Sequence, residues 1–465
     1  MTIARLTAED SADLGHAARV EAPRSAHGDW QPAADRRDPV AILLDQGPAR
    51  VQELLPIRYG RMLASPFTFF RGAAAVMAAD LAPTPRTGLV VQTCGDAHIS
   101  NFGGFAAPDR TLVFDLNDFD ETLPGPWEWD VKRMAASIEI AGRDRQFKPA
   151  VRRTMVEDAV REYREAMRCF AQEGHLEVWY ERLNAEELST RFGVTASPKE
   201  DKALAKVLAK AHNKDSQRAL AKLTERVDGQ LRFLSAPPLI VPISELFTAD
   251  EAAEQSAAMG DMLANYRSTL SGDRRHLLDR YEFVDMARKV VGVGSVGTRA
   301  WVILMEGAGG EDPLVLQAKE AQASVFEPYV GASEYYSHGQ RVVEGQRLMQ
   351  AASDIFLGWE RVTGFDGVGR DFYLRQLWDW KASADISVMT PERLAYYTRA
   401  CGWTLARAHA RSGQGHAIAA YLGGGRTFDK AIGQFAWDYA QQNELDHQAL
   451  SDAVASGRVE AQSGI

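Results

Sequence analysis

Two short apolar runs, Leu89-Val90-Val91 and Leu112-Val113-Phe114, each lead into an acid-bearing loop. The first delivers Cys94-Gly-Asp-Ala-His-Ile-Ser-Asn101 and the second Asp115-Leu-Asn-Asp-Phe-Asp120. Runs this short, bounded by polar residues and lacking helical periodicity, read as buried strands. The fold must therefore place two polar loops at the ends of two interior strands. Elsewhere the pattern is mostly helical: Pro39 to Leu81 with interruptions at Pro56 and Pro66, about 128–186, a Lys/Ala-rich stretch near 199–225, and Pro391 to Ala410. In that last helix Leu394, Tyr397, Cys401, Leu405 and Ala408 share one face. An extended stretch is predicted over Gln230 to Ser244. From Arg288 the texture changes again: VVGVGSVGTRAWVILMEGAGGEDPLVLQAKEA reads as two strands behind a glycine-rich turn. A helix from Ser333 to Ser353 and a strand over 371–380 follow. The class expected is α+β.

The chain has 465 residues, with 63 acids against 53 bases and a formal net charge of −10. That length allows two or three domains. The acidic balance argues against a general binder of nucleic-acid backbones, so no nucleic-acid partner is expected. There is no apolar run of about 18 residues, and acids occupy the N-terminal stretch where a signal peptide is apolar, so the expectation is a cytoplasmic protein without a membrane partner. Cys94, Cys169 and Cys401 are odd in number and far apart, which suggests neither a disulfide framework nor a zinc knuckle. The first forty or so residues lack clear periodicity and read as an arm laid over the body or a partly ordered tail.

The chemistry-bearing residues fall into two blocks. Gly292-x-Gly294-x-x-Gly297, which includes Ser295, opens a strand rather than a helix, and so does not fit a dinucleotide-binding turn. The next strand carries Lys319. A glycine-rich hairpin followed by a strand lysine is how kinase-type folds cover and hold ATP phosphates, and the bland alternative is a surface hairpin with an exposed lysine. Such a lysine needs a carboxylate from the following helix. Glu344 shares a helical face with Leu348 and Ala351, whereas Glu334 sits in a first turn where the helix dipole explains it. In the other block Asp96 precedes Asn101 by five residues, the spacing of a phosphotransferase loop in which the Asp takes the acceptor proton and the Asn holds magnesium. Asp118 and Asp120 supply further oxygen ligands, a donor set that favours magnesium over zinc. Strand alternation sets Asp115 apart from Leu112, Phe114 and Leu116, as a buried partner for backbone or basic groups. Read blandly, all these acids are turn formers and strand caps.

The segment GDAHISN resembles the G-D-x-H-x-x-N loop of aminoglycoside and choline phosphotransferases, and DFDETLPGPWEWDVKRMA is similar to their metal-aspartate segment, with Asp130 as its helix aspartate. Through SPFTFFRG, CGDAHISNFG, FDLNDFDE and GQRLMQAASD most of the chain resembles domain of unknown function family 2252, which is grouped with protein-kinase-like folds. The resemblance implies a bilobal kinase fold but no substrate. Cys94 stands where those enzymes usually have His, no Arg precedes Asp96, and no A-P-E element is evident. The block order is also reversed, with catalytic loops near 96–120 and the nucleotide clamp near 292–319. A circular permutation with extra helices reconciles the two.

The expected organisation is an arm at 1–38, a large-lobe segment at 39–190, a helical insertion or connector at 191–283, a small nucleotide-clamping lobe at 284–390 and large-lobe helices at 391–465. The activity expected is phosphoryl transfer from ATP with Mg2+ to an unidentified small-molecule or protein hydroxyl. Asp96 would be the base; Asn101, Asp118 and Asp120 the metal ligands; Gly292, Gly294, Ser295, Gly297, Lys319 and Glu344 the nucleotide contacts. Rivals are a nucleotide-binding pseudokinase, a nucleotidyl transferase on the same fold, and a metallophosphoesterase, which would need further histidines such as His409 and His416. The lysines near 199–225, and Arg58, Arg61 and Arg71, are read either as solvated faces or as recognition of an anionic substrate.

Overall fold

The computed structural model describes residues 6–184, 187–192, 220, 222–248, 262–290, 292, 294, 296–309, 312–364, 367–377 and 382–464. Among them are sixteen α-helices and one six-stranded antiparallel sheet, with smaller two- and three-stranded sheets beside it: a mixed α+β protein. Ser295 and most of the lysine-bearing stretch near 199–225 lie outside the described residues.

The first two predicted strands belong to the small sheets. Strand β1 (Val90–Thr93) pairs with β4 (Leu123–Pro126), and β2 (Phe102–Ala106) pairs with β3 (Leu112–Leu116). These pairings bring the 94–101 and 117–122 loops side by side. A hairpin of β5 (Thr224–Val227) and β6 (Gln230–Phe233) precedes the large sheet. That sheet comprises β7 (Ile240–Pro242), β8 (Tyr281–Lys289), β9 (Ala300–Gly307), β10 (Pro313–Ala321), β11 (Gly358–Thr363) and β12 (Gly369–Gln376), in the order β11-β12-β10-β9-β8-β7. Both faces are covered. Ile303, Met305, Leu314, Leu316 and Ala318 pack into one apolar cluster, and Val302, Leu304 and Val315 into another. Burial on both sides is why β9 and β10 read as near-continuous apolar runs. Alternation then sends Gln317 and Lys319 to the same side as Val315. The two-residue β13 (Ala382–Ser383) adds to β2.

The N-terminal arm contains helix α1 (Ala8–Glu21), opened by a Thr7/Asp10 capping box. Arg19 and Arg24 donate to Tyr421 O and Leu422 O, which fastens the arm to the body. Helices α2 (Leu55–Met62) and α3 (Pro66–Gly72) follow, each with Pro in its first turn, so the two prolines start helices rather than interrupt one. The largest core joins α4 (Trp127–Asp144), α5 (Pro149–Phe170), α7 (Pro391–Ser412), α8 (Gly415–Leu422) and α9 (Thr427–Ala455). Helix α6 (His338–Met349) is shorter than the predicted 333–353 span, because Ser337 caps it by accepting from Gly339 N and Gln340 N.

Helix α7 lies against α5 so closely that a Cβ on Gly402 would run into Ala159 O. Gly402→Val should lower the unfolding free energy by about 3 kcal/mol or more, since the helices must part or shift to admit it. Denaturant unfolding measures this. A midpoint equal to the parent's would mean that the contact yields at no cost.

Candidate active site

The loop carrying Asp96 is pinned from three helices. Asp130, fully buried on α4, accepts from Cys94 N at 2.6 Å and from Gly95 N at 2.9 Å. His409 of α7 lies 3.2 Å from the same carboxylate and 2.8 Å from the Tyr163 hydroxyl of α5. Ser137 accepts from Ile99 N, and the Tyr397 hydroxyl donates to Ile99 O and Phe102 O. Gly95 turns the chain at φ +81°, and a Cβ there would run into Glu121 O, so the position requires glycine twice over. His409 is thereby absorbed into loop support, so it is not available as a ligand of a two-metal phosphoesterase site.

Arg133 Nε donates to Asp96 Oδ1 at 2.8 Å while its Nη2 holds Phe70 O. Oδ2 faces His98 Nε2 at 3.7 Å. Burial pushes the Asp96 pKa above the usual carboxylate value despite Arg133 and Arg71, which makes its anion a better proton acceptor. The same burial, with Arg71 and Arg133 nearby, holds His98 neutral, its pKa well below normal. Asn101 donates Nδ2 to Asp96 O at 2.8 Å, which leaves its carbonyl oxygen as an acceptor.

The second acidic loop meets the large sheet. Lys319 and Tyr373 face each other across β10 and β12, and both bind Asp120: Lys319 Nζ forms a short ion pair with Oδ2, and the Tyr373 hydroxyl donates to Oδ1 at 2.8 Å. Asp118 is the more open acid, 34% exposed, and lies 3.9 Å from Lys319 Nζ. Burial and the neighbouring Asp120 raise its pKa. Burial pushes Asp120 the same way, but Lys319 and Tyr373 outweigh it and its pKa is lowered. Burial alone would lower the Lys319 pKa; Asp118 and Asp120 reverse that and hold it protonated.

The expected Lys319–Glu344 pair is not formed. Glu344 binds Arg347 at 3.1 Å on the half-exposed side of α6, because the stripe facing inward is Val342, Gly345, Gln346 and Met349 rather than the 344/348/351 face. The residue that α6 does send to the acidic loop is Arg341. Its guanidinium donates to Thr122 O, Asp120 O and Gln322 O. Charge type alone hid it, since a buried arginine that satisfies carbonyls leaves no acid–base pattern in the sequence.

Asp96, Asn101, Asp118, Asp120, Lys319, Gly292 and Gly294 line one cleft of about 660 Å³, a size typical of small-molecule sites. Gly297 is not among the residues lining the cleft; it sits at φ +87°, and its carbonyl accepts from Val51 N. Arg50 Nη1 holds the glycine loop by Gly294 O and Val296 O. Asp118, Asp120 and the Asn101 carbonyl offer oxygen donors, and burial together with the neighbouring Asp120 charge, which a cation would offset, raises the Asp118 pKa. These residues fit magnesium, which keeps waters and substrate oxygens in its shell. Among the described residues no group of three or more His, Cys, Asp or Glu is gathered as a metal site. No described helix is long and apolar enough to cross a membrane.

The family model described as "Uncharacterized protein conserved in bacteria (DUF2252)" matches residues 50–453, which span every cleft residue named above. Neither the curated proteins nor the solved structures contain a match.

Proposed function

The chain belongs to the DUF2252 family, and from that premise we propose that it is an ATP- and magnesium-dependent phosphotransferase with a circularly permuted, kinase-like bilobal arrangement. The observation that carries this reading is the ion pair between Lys319 and Asp120, which joins residues 199 positions apart at the floor of one cleft. Around it stand the glycine loop, Asp118, Asn101 and Asp96.

In this reading the acceptor hydroxyl attacks the terminal phosphorus of ATP. The bond to the bridging oxygen breaks, ADP leaves, and the hydroxyl proton passes to Asp96. Asn101, Asp118 and Asp120 would hold magnesium, which neutralises phosphate charge and fixes the triphosphate. Lys319 orients phosphate oxygens from the sheet side. Arg133 fixes Asp96 through Oδ1, so that Oδ2 is the proton-accepting atom. Catalysis of this kind rests on positioning and charge compensation rather than on a protein nucleophile. Release of ADP rather than pyrophosphate separates it from nucleotidyl transfer.

The test is thermal unfolding with ATP, with and without magnesium. Ligand at about 100 Kd adds roughly 2.7 kcal/mol to the native state. Asp118→Ala should melt close to the parent without ligand and lose the magnesium-dependent part of the nucleotide shift. If ATP stabilises parent and variant equally, or neither, Asp118 holds no catalytic metal and the reading falls.

A further inference from the structure

The cleft is lined by three arginines, Arg50, Arg58 and Arg71, that form no ion pair among the described residues. Arg58 on α2 is 1% exposed, and its guanidinium donates to Gln46 Oε1 at 2.8 Å and Gly72 O at 3.1 Å and lies 5.7 Å from the Tyr59 ring centroid; its Nε and Nη1 have no hydrogen-bond partner. Arg71 on α3 forms no hydrogen bond or ion pair among the described residues, and its Nε is buried. The Nε of Arg50 is likewise unpartnered, although its Nη1 holds the glycine loop. Other deeply buried arginines are compensated. Arg133 binds Asp96, Arg164 binds Asp429 and Arg407 binds Asp115; Arg341 has no carboxylate partner either, but its guanidinium is taken up by three carbonyls and does not line the cleft. A buried guanidinium without a counter-charge costs several kcal/mol, and a fold bears that cost where a ligand supplies the missing anion. Burial and the neighbouring Arg50 push the Arg58 pKa down to about 9, and burial lowers those of Arg50, Arg71 and the cleft's Lys289.

We propose that Arg58 and Arg71, backed by Arg50, form a subsite for an anionic group, phosphate or carboxylate, carried by the acceptor. The acceptor role rests on the phosphotransferase reading; the anion site rests on the arginines themselves. Position favours the acceptor over the nucleotide. Arg133, which holds Asp96, also holds Phe70 O, so Arg71 directly follows a residue tied to the base. The charges Arg71 senses are those of Asp96 and Asp118. A planar guanidinium there can hold an oxyanion with two parallel hydrogen bonds while the acceptor hydroxyl lies at Asp96.

The experiment uses the full chain and inorganic phosphate as probe, against sodium chloride of equal ionic strength, with and without a saturating non-hydrolysable ATP analogue and magnesium. Phosphate should raise the melting temperature of the parent protein, and should do so with the analogue already bound. Arg71→Gln should weaken phosphate binding by about tenfold or more, with an unliganded melting temperature close to the parent's, because Arg71 has no hydrogen bond or ion pair among the described residues to lose. Arg71→Lys should fall between the two. Equal phosphate binding by parent and Arg71→Gln would overturn the subsite. Phosphate and the analogue excluding each other would overturn its assignment to the acceptor. If phosphate binds through Arg71 but the nucleotide gives no shift, the phosphotransferase reading and the acceptor assignment fall together, while the anion site stands.

Discussion

Replacing Asp115 with Ala is expected to lower the unfolding free energy by about 3–5 kcal/mol, the cost of stranding a buried charge. Asp115 and Arg407 are each 1% exposed and form a short ion pair; Asp115 Oδ2 also accepts from Ala351 N, and Arg407 Nη1 donates to Met349 O. The pair ties strand β3 to helix α7 and to the end of α6. Removing the carboxylate leaves Arg407 without its counter-charge, and the loss should be the same with and without nucleotide. Asp115→Ala combined with Arg407→Leu should recover part of it, because an apolar replacement leaves no stranded cation. Chemical denaturation of the three variants and the parent measures both numbers. If the double variant is as unstable as the sum of the singles, the two side chains do not act as a pair.

Asp96→Asn should reduce phosphoryl transfer by about 10²–10⁴-fold, the usual contribution of a positioned base, while the affinity for magnesium and nucleotide stays near the parent's. The amide retains the size of the carboxylate and can still accept from Arg133, so the loop held by Asp130, Ser137 and Tyr397 keeps its shape. Single-turnover transfer, followed together with nucleotide binding by thermal shift, separates the two effects. Transfer at the parental rate would remove Asp96 from the role of base. Loss of nucleotide binding along with transfer would recast it as a structural acid.

How much of this could be read from the sequence depends on how local the cause is. Strands β1 and β3 and their acidic loops were legible because a short apolar run and its polar exit are neighbours in the chain. Asp115 was legible as a buried acid because strand period alone separates it from Leu112, Phe114 and Leu116, and the structure supplies Arg407 as the partner. Helix α7 was legible because Thr390 and Pro391 open it and its apolar face repeats cleanly. Strand β8 was missed over most of its length. YEFVDMARK mixes charges with apolar residues, and its partner across the sheet, β9, lies beyond the glycine loop. Helix α1 was missed because its buried positions are Gly15 and Ala18, small residues that leave no apolar stripe, although its capping box was present in the letters. Glu344 failed for a related reason: two stripes on α6 look equally apolar, and only packing against Thr122 and β12 chooses between them. The bare arginine wall could be suspected from Arg58 and Arg71, but not weighed. Whether a buried cation has an anion is a tertiary fact.

The two bonds to Asp120 have a consequence for the order in which ligands assemble. Lys319 and Tyr373 are cross-strand neighbours, so one carboxylate latches the floor of the sheet to the acidic loop. Under the proposed function, a cation entering at Asp120 would compete with an ammonium and a phenol already in place, and its apparent affinity would be net of what they give up. Lys319 and Tyr373 would then be left to face the cleft from the sheet side, where the proposed triphosphate would lie. In the same reading, a cation held at Asp120 would favour a phosphate at Lys319, and by thermodynamic reciprocity a phosphate that engaged Lys319 would free Asp120 for the cation.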